Sequence, residues 1–242
     1  MTIRAVIFDV YSTILEVGPA PADAEIRWQR LFAERFHTAP RWTRLEFAAA
    51  CSQVIARRHE WARVRGIAWP EIHWPTVVTE LLPELAGSDD LDGFILGHIQ
   101  TGRTLRMPSD AALTLTALRD RGILLGIASN SQAYTLEELG DALRGHGLGI
   151  DLFAPDLCFW SFKHGFSKPE PHAFQFLTHR LAARGIAPAE ILMVGDRLDN
   201  DIAPARAFGW KTWHLADKFA ETPGGGWRAL RHHLDALPSS AA

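Results

Sequence analysis

Two cysteines in 242 residues, Cys51 and Cys158, stand far apart and form no C-x-x-C pair. They offer no disulfide framework and fit two reduced thiols in a cytoplasmic protein. Lysine is nearly as scarce: Lys163, Lys168, Lys211 and Lys218 are the whole complement, and residues 17–105 contain none. A net charge of -3 gives no electrostatic basis for nucleic-acid binding. No apolar run reaches the roughly 18–20 residues a membrane span needs. The opening apolar stretch is short, carries Asp9 and lacks a small-residue cleavage pattern, so no signal peptide is expected. The eleven histidines form no H-x-x-x-H pair beside an acidic cluster, so a zinc site is not expected either. What remains is ordinary for a soluble protein, 47% hydrophobic and 22% charged. The length suits one large α/β domain, or a core of about 150 residues with a smaller insert.

The apolar, partly β-branched run Ala5-Val6-Ile7-Phe8 reads as a buried strand ending in a carboxylate, Asp9, followed by Ser12 and Thr13 at a turn. A Pro/Gly/Ala-rich connector, residues 16–24, leads into four helical stretches at 23–36, 46–64, 76–85 and 91–99. From Ser109 a β/α rhythm takes over. Helices are expected at 110–121, 135–144, 172–184 and 202–208, and strands at 123–128, 157–159, 191–194 and 211–215. Residues 1–16 and 106–242 therefore form a core with a parallel sheet, and 17–105 an all-helical insert. Within the core, 223–242 is a tail whose amphipathic helix, 227–237, docks on it. Trp28, Trp42, Trp61, Trp69 and Trp74 in the insert read as packing residues before they read as pocket lining.

Ligands of open α/β sheets sit at the carboxyl ends of strands. Four such ends carry Asp9, Ser129-Asn130, the Lys168-Pro169 turn, and Gly195-Asp196 with Asp201. Alone, each has a bland reading: a turn aspartate, a helix N-cap, a surface lysine, a solvated acidic loop. Together they supply a carboxylate nucleophile, a hydrogen-bond donor, a fixed cation and an acidic pair able to hold a divalent metal. An anionic substrate would be repelled by the nucleophile unless a lysine and a hard cation neutralised the pair.

In this order the motifs resemble those of the haloacid dehalogenase superfamily of hydrolases. Asp9-Val10-Tyr11-Ser12-Thr13 is similar to its first motif, Ser129-Asn130 to its second, Lys168-Pro169 to its third, and Gly195-Asp196 through Asp201 to its fourth. The resemblance implies a Rossmann-like three-layer α/β/α core with a helical cap inserted after the first motif. It implies Asp9 as nucleophile, Ser129 as donor to the transferred group, and Lys168 as the partner of nucleophile and intermediate. Tyr11 joins the catalytic set by position, and Asn130 and Thr13 join the substrate-binding set, Thr13 also steadying the turn. Mg2+ would be held by Asp9, the Tyr11 backbone carbonyl and Asp196, with Asp201 as ligand or support.

Phosphatases of the family carry a second aspartate where this chain has Tyr11. A phenol of ordinary pKa is a poor general base near neutrality, and loss of acid–base help typically costs on the order of 10²–10⁴-fold. The 2-haloacid dehalogenase branch, which works without metal, has tyrosine there, but it replaces the acidic fourth motif that this chain retains. It also has a tyrosine where Phe174 stands, and a substrate-gripping arginine for which only Arg27 or Arg30 is available. The phosphonatase branch needs a cap lysine, and residues 17–105 have none. The expected activity is Mg2+-dependent hydrolysis of a small phosphorylated metabolite through an aspartyl-phosphate. The alternatives are metal-independent dehalogenation of a 2-halo acid and a binding or regulatory protein with little turnover. The partner is a small anion, not nucleic acid or membrane, for a monomer or homodimer. His164 near Lys168 is a pocket candidate, whereas His232-His233, Arg57-Arg58 and Arg63-Arg65 read as solvated helix faces.

Overall fold

The side chains of Ala5–Phe8 are buried on both sides and divide by parity. Val6 and Phe8 enter one apolar cluster with Leu125, Ile127, Leu192 and Val194, while Ala5 and Ile7 enter another with Ala128, Ile191 and Met193. Burial on both faces makes this the central strand of a parallel sheet sandwiched between helices. The structure is a computed structural model and describes residues 2–216 and 223–236. In chain order the elements are β1 (Ala5–Phe8), β2 (Glu16–Gly18), α1 (Ala24–Phe36), α2 (Arg44–Arg63), α3 (Trp74–Leu81), α4 (Leu91–Gly102) and β3 (Thr104–Arg106). Then come α5 (Ser109–Asp120), β4 (Leu124–Ser129), α6 (Tyr134–Arg144), β5 (Cys158–Trp160), α7 (Pro171–Ala183), β6 (Ile191–Gly195), α8 (Ala203–Ala207), β7 (Lys211–His214) and α9 (Trp227–Asp235).

The main sheet runs β5-β4-β1-β6-β7, all neighbours parallel. Helices α5, α6 and α9 cover one face, and α7 and α8 the other. This is the three-layer Rossmann-like arrangement. Phe8 pairs with both Ile127 and Val194, so Asp9, Ser129 and Asp196 leave the sheet along one edge. Phe174, where the dehalogenase branch has tyrosine, is fully buried among the α7 core residues. The tail helix α9 lies against the sheet, Trp227 stacking on Phe8 at 5.9 Å and Arg121 donating to the Leu234 carbonyl at 2.9 Å. Of the tail assigned from sequence, residues 237–242 lie outside the described residues, as does Lys218.

Helices α1–α4 pack round their own apolar cluster, centred on Trp28, whose ring lies 4.9 Å from Phe32 and 5.0 Å from Phe47. The start of α2 is set by a capping box: Thr43 accepts the Glu46 N–H, and the Glu46 carboxylate accepts the Thr43 N–H. Of the five tryptophans of this layer, Trp28 is core, Trp61 and Trp69 are exposed, and Trp74 borders a chamber described below. The expected connector at 16–24 is instead partly a strand. β2 pairs antiparallel with β3, Gly18 opposite Thr104, where the chain leaves the sheet layer and returns to it. Three largely exposed residues per strand leave no apolar alternation to read. Among the described residues no helix is long and apolar enough to cross a membrane.

Candidate active site

Asp9 follows β1 directly and extends its ladder, its N–H donating to the Val194 carbonyl at 3.0 Å. The chain then turns back sharply: Ser12 adopts φ 58 and its N–H reaches the Leu15 carbonyl at 2.7 Å. A left-handed conformation at a non-glycine residue costs of order 1 kcal/mol and is held only by surrounding structure, as at a site where a loop must present its backbone. Thr13, expected among substrate contacts, is buried. Its hydroxyl leans 3.3 Å from Asp9 Oδ2, which leaves it a turn role rather than a binding one.

Lys168 is the hub. Its side chain is 2% exposed, and its ammonium donates to Asp9 Oδ1 at 2.8 Å and to Asp201 Oδ1 at 2.5 Å. Burial works against the ammonium, but Asp201 and then Asp9 outweigh it, and the Lys168 pKa ends above its ordinary value. Asp201 is itself buried. Its Oδ2 accepts the Arg197 N–H at 3.1 Å, so both its oxygens have donors, which favours anchoring Lys168 over direct metal ligation. Gly195 makes this possible, since a Cβ there would lie 2.4 Å from Asp201 Oδ2.

Asn130, expected among substrate contacts, also holds the lysine turn. Its side-chain amide accepts the Lys168 N–H at 2.7 Å and donates to the Lys168 carbonyl at 2.9 Å. Both ends are engaged in fixing the lysine turn, at the border of the nucleophile pocket. Ser129 is fully buried at the end of β4, and its hydroxyl has no hydrogen-bond partner among the described residues. Such an orphan in a native fold calls for an explanation, and a ligand is one.

Asp9, Asp196 and Asp201 bring one carboxylate oxygen each within 4.8 Å of one another. Burial raises the pKa of Asp9, with Asp201 and Asp196 adding to the rise and Lys168 opposing it. Burial and then Asp201 raise that of Asp196. Three carboxylates stand near one ammonium, which pairs with Asp9 and Asp201, in a 220 Å³ pocket that Asp9, Ser12, Asp196 and Asn200 help to line. A hard divalent cation matches this oxygen-only donor set and relieves the repulsion.

Tyr11 is where the structure departs furthest from expectation. Its hydroxyl donates to Glu138 at 2.5 Å, lies 2.8 Å from the Thr135 hydroxyl and accepts from Arg103 at 2.9 Å. The Arg103 guanidinium also lies 4.3 Å above its ring. Burial raises the phenol pKa well beyond its ordinary value; Glu138 adds to the rise and Arg103 opposes it. The Tyr11 side chain thus holds Arg103 and offers no acid–base service. Arg103, which ends α4, was missed from sequence, because nothing local distinguishes it from the other arginines of the insert. Arg27 and Arg30 are exposed, the former paired with Asp23. His164 stacks on Phe159 at 4.7 Å instead of facing the pocket, and Arg57 and Arg58 both bind Glu80 on the surface.

A parallel sheet with a carboxylate, a buried ammonium and an acidic trio on one edge is an arrangement suited to hydrolysis. The family model described as haloacid dehalogenase-like hydrolase matches residues 3–209, and the chain belongs to that family. A glyceraldehyde 3-phosphate phosphatase of Pyrococcus furiosus is 33% identical over 130 residues, 53% of this chain and 50% of that protein. Its counterpart in Methanocaldococcus jannaschii is 29% identical over 140 residues, 58% of each chain. The chain thus matches about half the length of these curated relatives. Among solved structures, a 2-haloacid dehalogenase from Pseudomonas syringae pv. tomato DC3000 superposes with a TM-score of 0.63 at 20% identity, covering 97% of this chain and 99% of that one. At such identity the likeness carries the fold alone.

Proposed function

We propose that this hydrolase is a Mg2+-dependent phosphatase acting on a small phosphorylated metabolite in the cytoplasm, with residues 17–105 as its cap. The observation that carries this reading is the acidic trio around one ammonium, within 4.8 Å carboxylate to carboxylate. Dehalogenation, which needs no metal, would use Asp9 and Asp201 but gives Asp196 no purpose. Asp9 attacks phosphorus, the ester bond to the leaving oxygen breaks, and an aspartyl-phosphate forms; water then cleaves the phosphorus–Asp9 bond. Lys168 fixes the nucleophile and offsets the charge gathering on the transferred group. The orphaned Ser129 hydroxyl is the donor suited to one of its oxygens. Asp9, Asp196 and the Tyr11 carbonyl would hold Mg2+, with Asp201 behind them. The metal supplies charge neutralisation at the phosphoryl oxygens.

The named activity of the two curated relatives makes a triose phosphate the first metabolite to assay. The deciding test uses p-nitrophenyl phosphate, whose leaving group hardly needs an acid. Mg2+-stimulated phosphate release that Asp9→Asn abolishes supports the proposal. Metal-independent chloride release from L-2-chloropropionate would overturn it in favour of dehalogenation.

A further inference from the structure

An alkyl phosphate leaves poorly unless its oxygen is protonated, and Tyr11 is engaged elsewhere. Tyr11 and Asn130 border both the nucleophile pocket and a second chamber of about 320 Å³. Of the ionisable residues on its wall, His59 of α2 and Glu71 of the loop before α3 are the two that are neither phenol nor guanidinium. Glu138 does not reach it: its Oε2 takes both Arg103 and Tyr11, and it lies beneath the tyrosine. Burial and then Arg63 lower the His59 pKa, which keeps that imidazole neutral and a weak acid.

Glu71 is held differently. Its Oε1 accepts the Ile72 N–H at 2.7 Å and the Gln132 amide at 2.9 Å, and Gln132 donates again to the Ile72 carbonyl at 2.8 Å. Gln132 lies two residues past Asn130, so this contact ties a residue of the helical insert to the catalytic edge of the sheet. Glu71 Oε2 is buried and completes no hydrogen bond, with the Ser161 hydroxyl alongside. With two donors already on Oε1, a proton on this carboxyl belongs on Oε2.

We infer that Glu71 is the general acid–base of this hydrolase, supplying from the insert the proton that position 11 does not. The inference rests on the phosphatase reading. As the Asp9 oxygen bonds to phosphorus and the ester P–O bond breaks, the proton on Glu71 Oε2 passes to the departing oxygen, giving an alcohol. The Glu71 carboxylate then takes a proton from the attacking water, whose oxygen bonds to phosphorus as the P–O bond to Asp9 breaks. Both carboxyl groups return to their starting states. Burial raises the Glu71 pKa, with Ser161, Ile72 and Gln132 opposing. The other ionisable groups round the chamber are His59 from α2, Arg103 from the end of α4, Tyr11 from the β1 loop and Tyr134 from α6.

The test compares phenyl phosphate, a poorer leaving group, with p-nitrophenyl phosphate in the full chain with Mg2+. Glu71→Gln should lose about 100-fold in kcat on the first and at most about tenfold on the second. Equal losses on the two esters, or none, overturn the inference. Should the variant fail to fold by circular dichroism, the wild type decides: its phenyl phosphate kcat should fall as pH rises through the raised Glu71 pKa, more steeply than that for p-nitrophenyl phosphate. Parallel profiles overturn it. No phosphate release from either ester by the wild type, or release untouched by Asp9→Asn, overturns the phosphatase reading itself, and this inference falls with it.

Discussion

Lys168 stands between two carboxylates, 2.8 Å from Asp9 and 2.5 Å from Asp201, with almost no exposure to water. Removing one member of a buried ion cluster leaves uncompensated charge, so Lys168→Ala should cost about 3–5 kcal/mol of stability as well as activity. Urea unfolding at neutral pH measures this; a cost near zero would mean that the cluster is wetter than its burial implies. Tyr11→Phe separates structure from chemistry. It removes one hydroxyl from the Arg103–Glu138 contact and should cost about 1 kcal/mol. Turnover of p-nitrophenyl phosphate should stay within about threefold of wild type, since the phenol is engaged away from the nucleophile. A large kinetic loss at full stability would return Tyr11 to the catalytic set. The sequence exposed Asp9 and Asp196 because each follows an apolar run at a strand end, and Lys168 because it precedes a proline turn. It concealed Arg103, which meets Tyr11 through tertiary packing of an insert whose local pattern resembles any amphipathic helix.

At the scale of elements, the layer α1–α4 is organised by aromatic contact, and one titratable ring is enclosed in it. His98 lies 4.9 Å from Phe47 and 5.5 Å from Trp28, and burial, with Arg44 adding, lowers its pKa to about 4. The unfolded chain therefore binds a proton that the folded chain refuses between the ordinary pKa of 6.5 and about 4. Stability should fall as pH drops through that window, by up to about 3 kcal/mol at ~1.4 kcal/mol per pH unit. His98→Phe should flatten this dependence, as read from urea midpoints at pH 7 and pH 5. The four helices were legible from apolar spacing, and their ends moved by only a few residues. The β2–β3 ribbon was not legible, because three largely exposed residues on each side have no hydrophobic period, and their pairing spans the whole insert.

Across the whole molecule, the parallel register gathers carboxylates that sit far apart in the chain. Phe8, Ile127 and Val194 are lateral neighbours, which fixes where Asp9, Ser129 and Asp196 emerge. The repulsion stored among Asp9, Asp196 and Asp201 is released when a divalent cation binds, so Mg2+ should raise the melting temperature and EDTA should reverse the gain. Asp196→Asn should remove most of that shift; an unchanged shift would place the cation elsewhere. The sheet and its edge were readable because two-sided burial writes unbroken apolar runs, whereas the division of labour within the edge depended on side-chain geometry. The ribbon that the sequence hid has a consequence of its own. With Gly18 paired to Thr104, the two ends of the helical insert lie on adjacent rungs, so a short glycine-serine bridge could join them and delete residues 19–103 without stretching the sheet. The shortened chain should still unfold cooperatively. It would strip the chamber beside the nucleophile pocket of His59, Glu71, Trp74 and Arg103, a minimal scaffold onto which a different insert could be grafted.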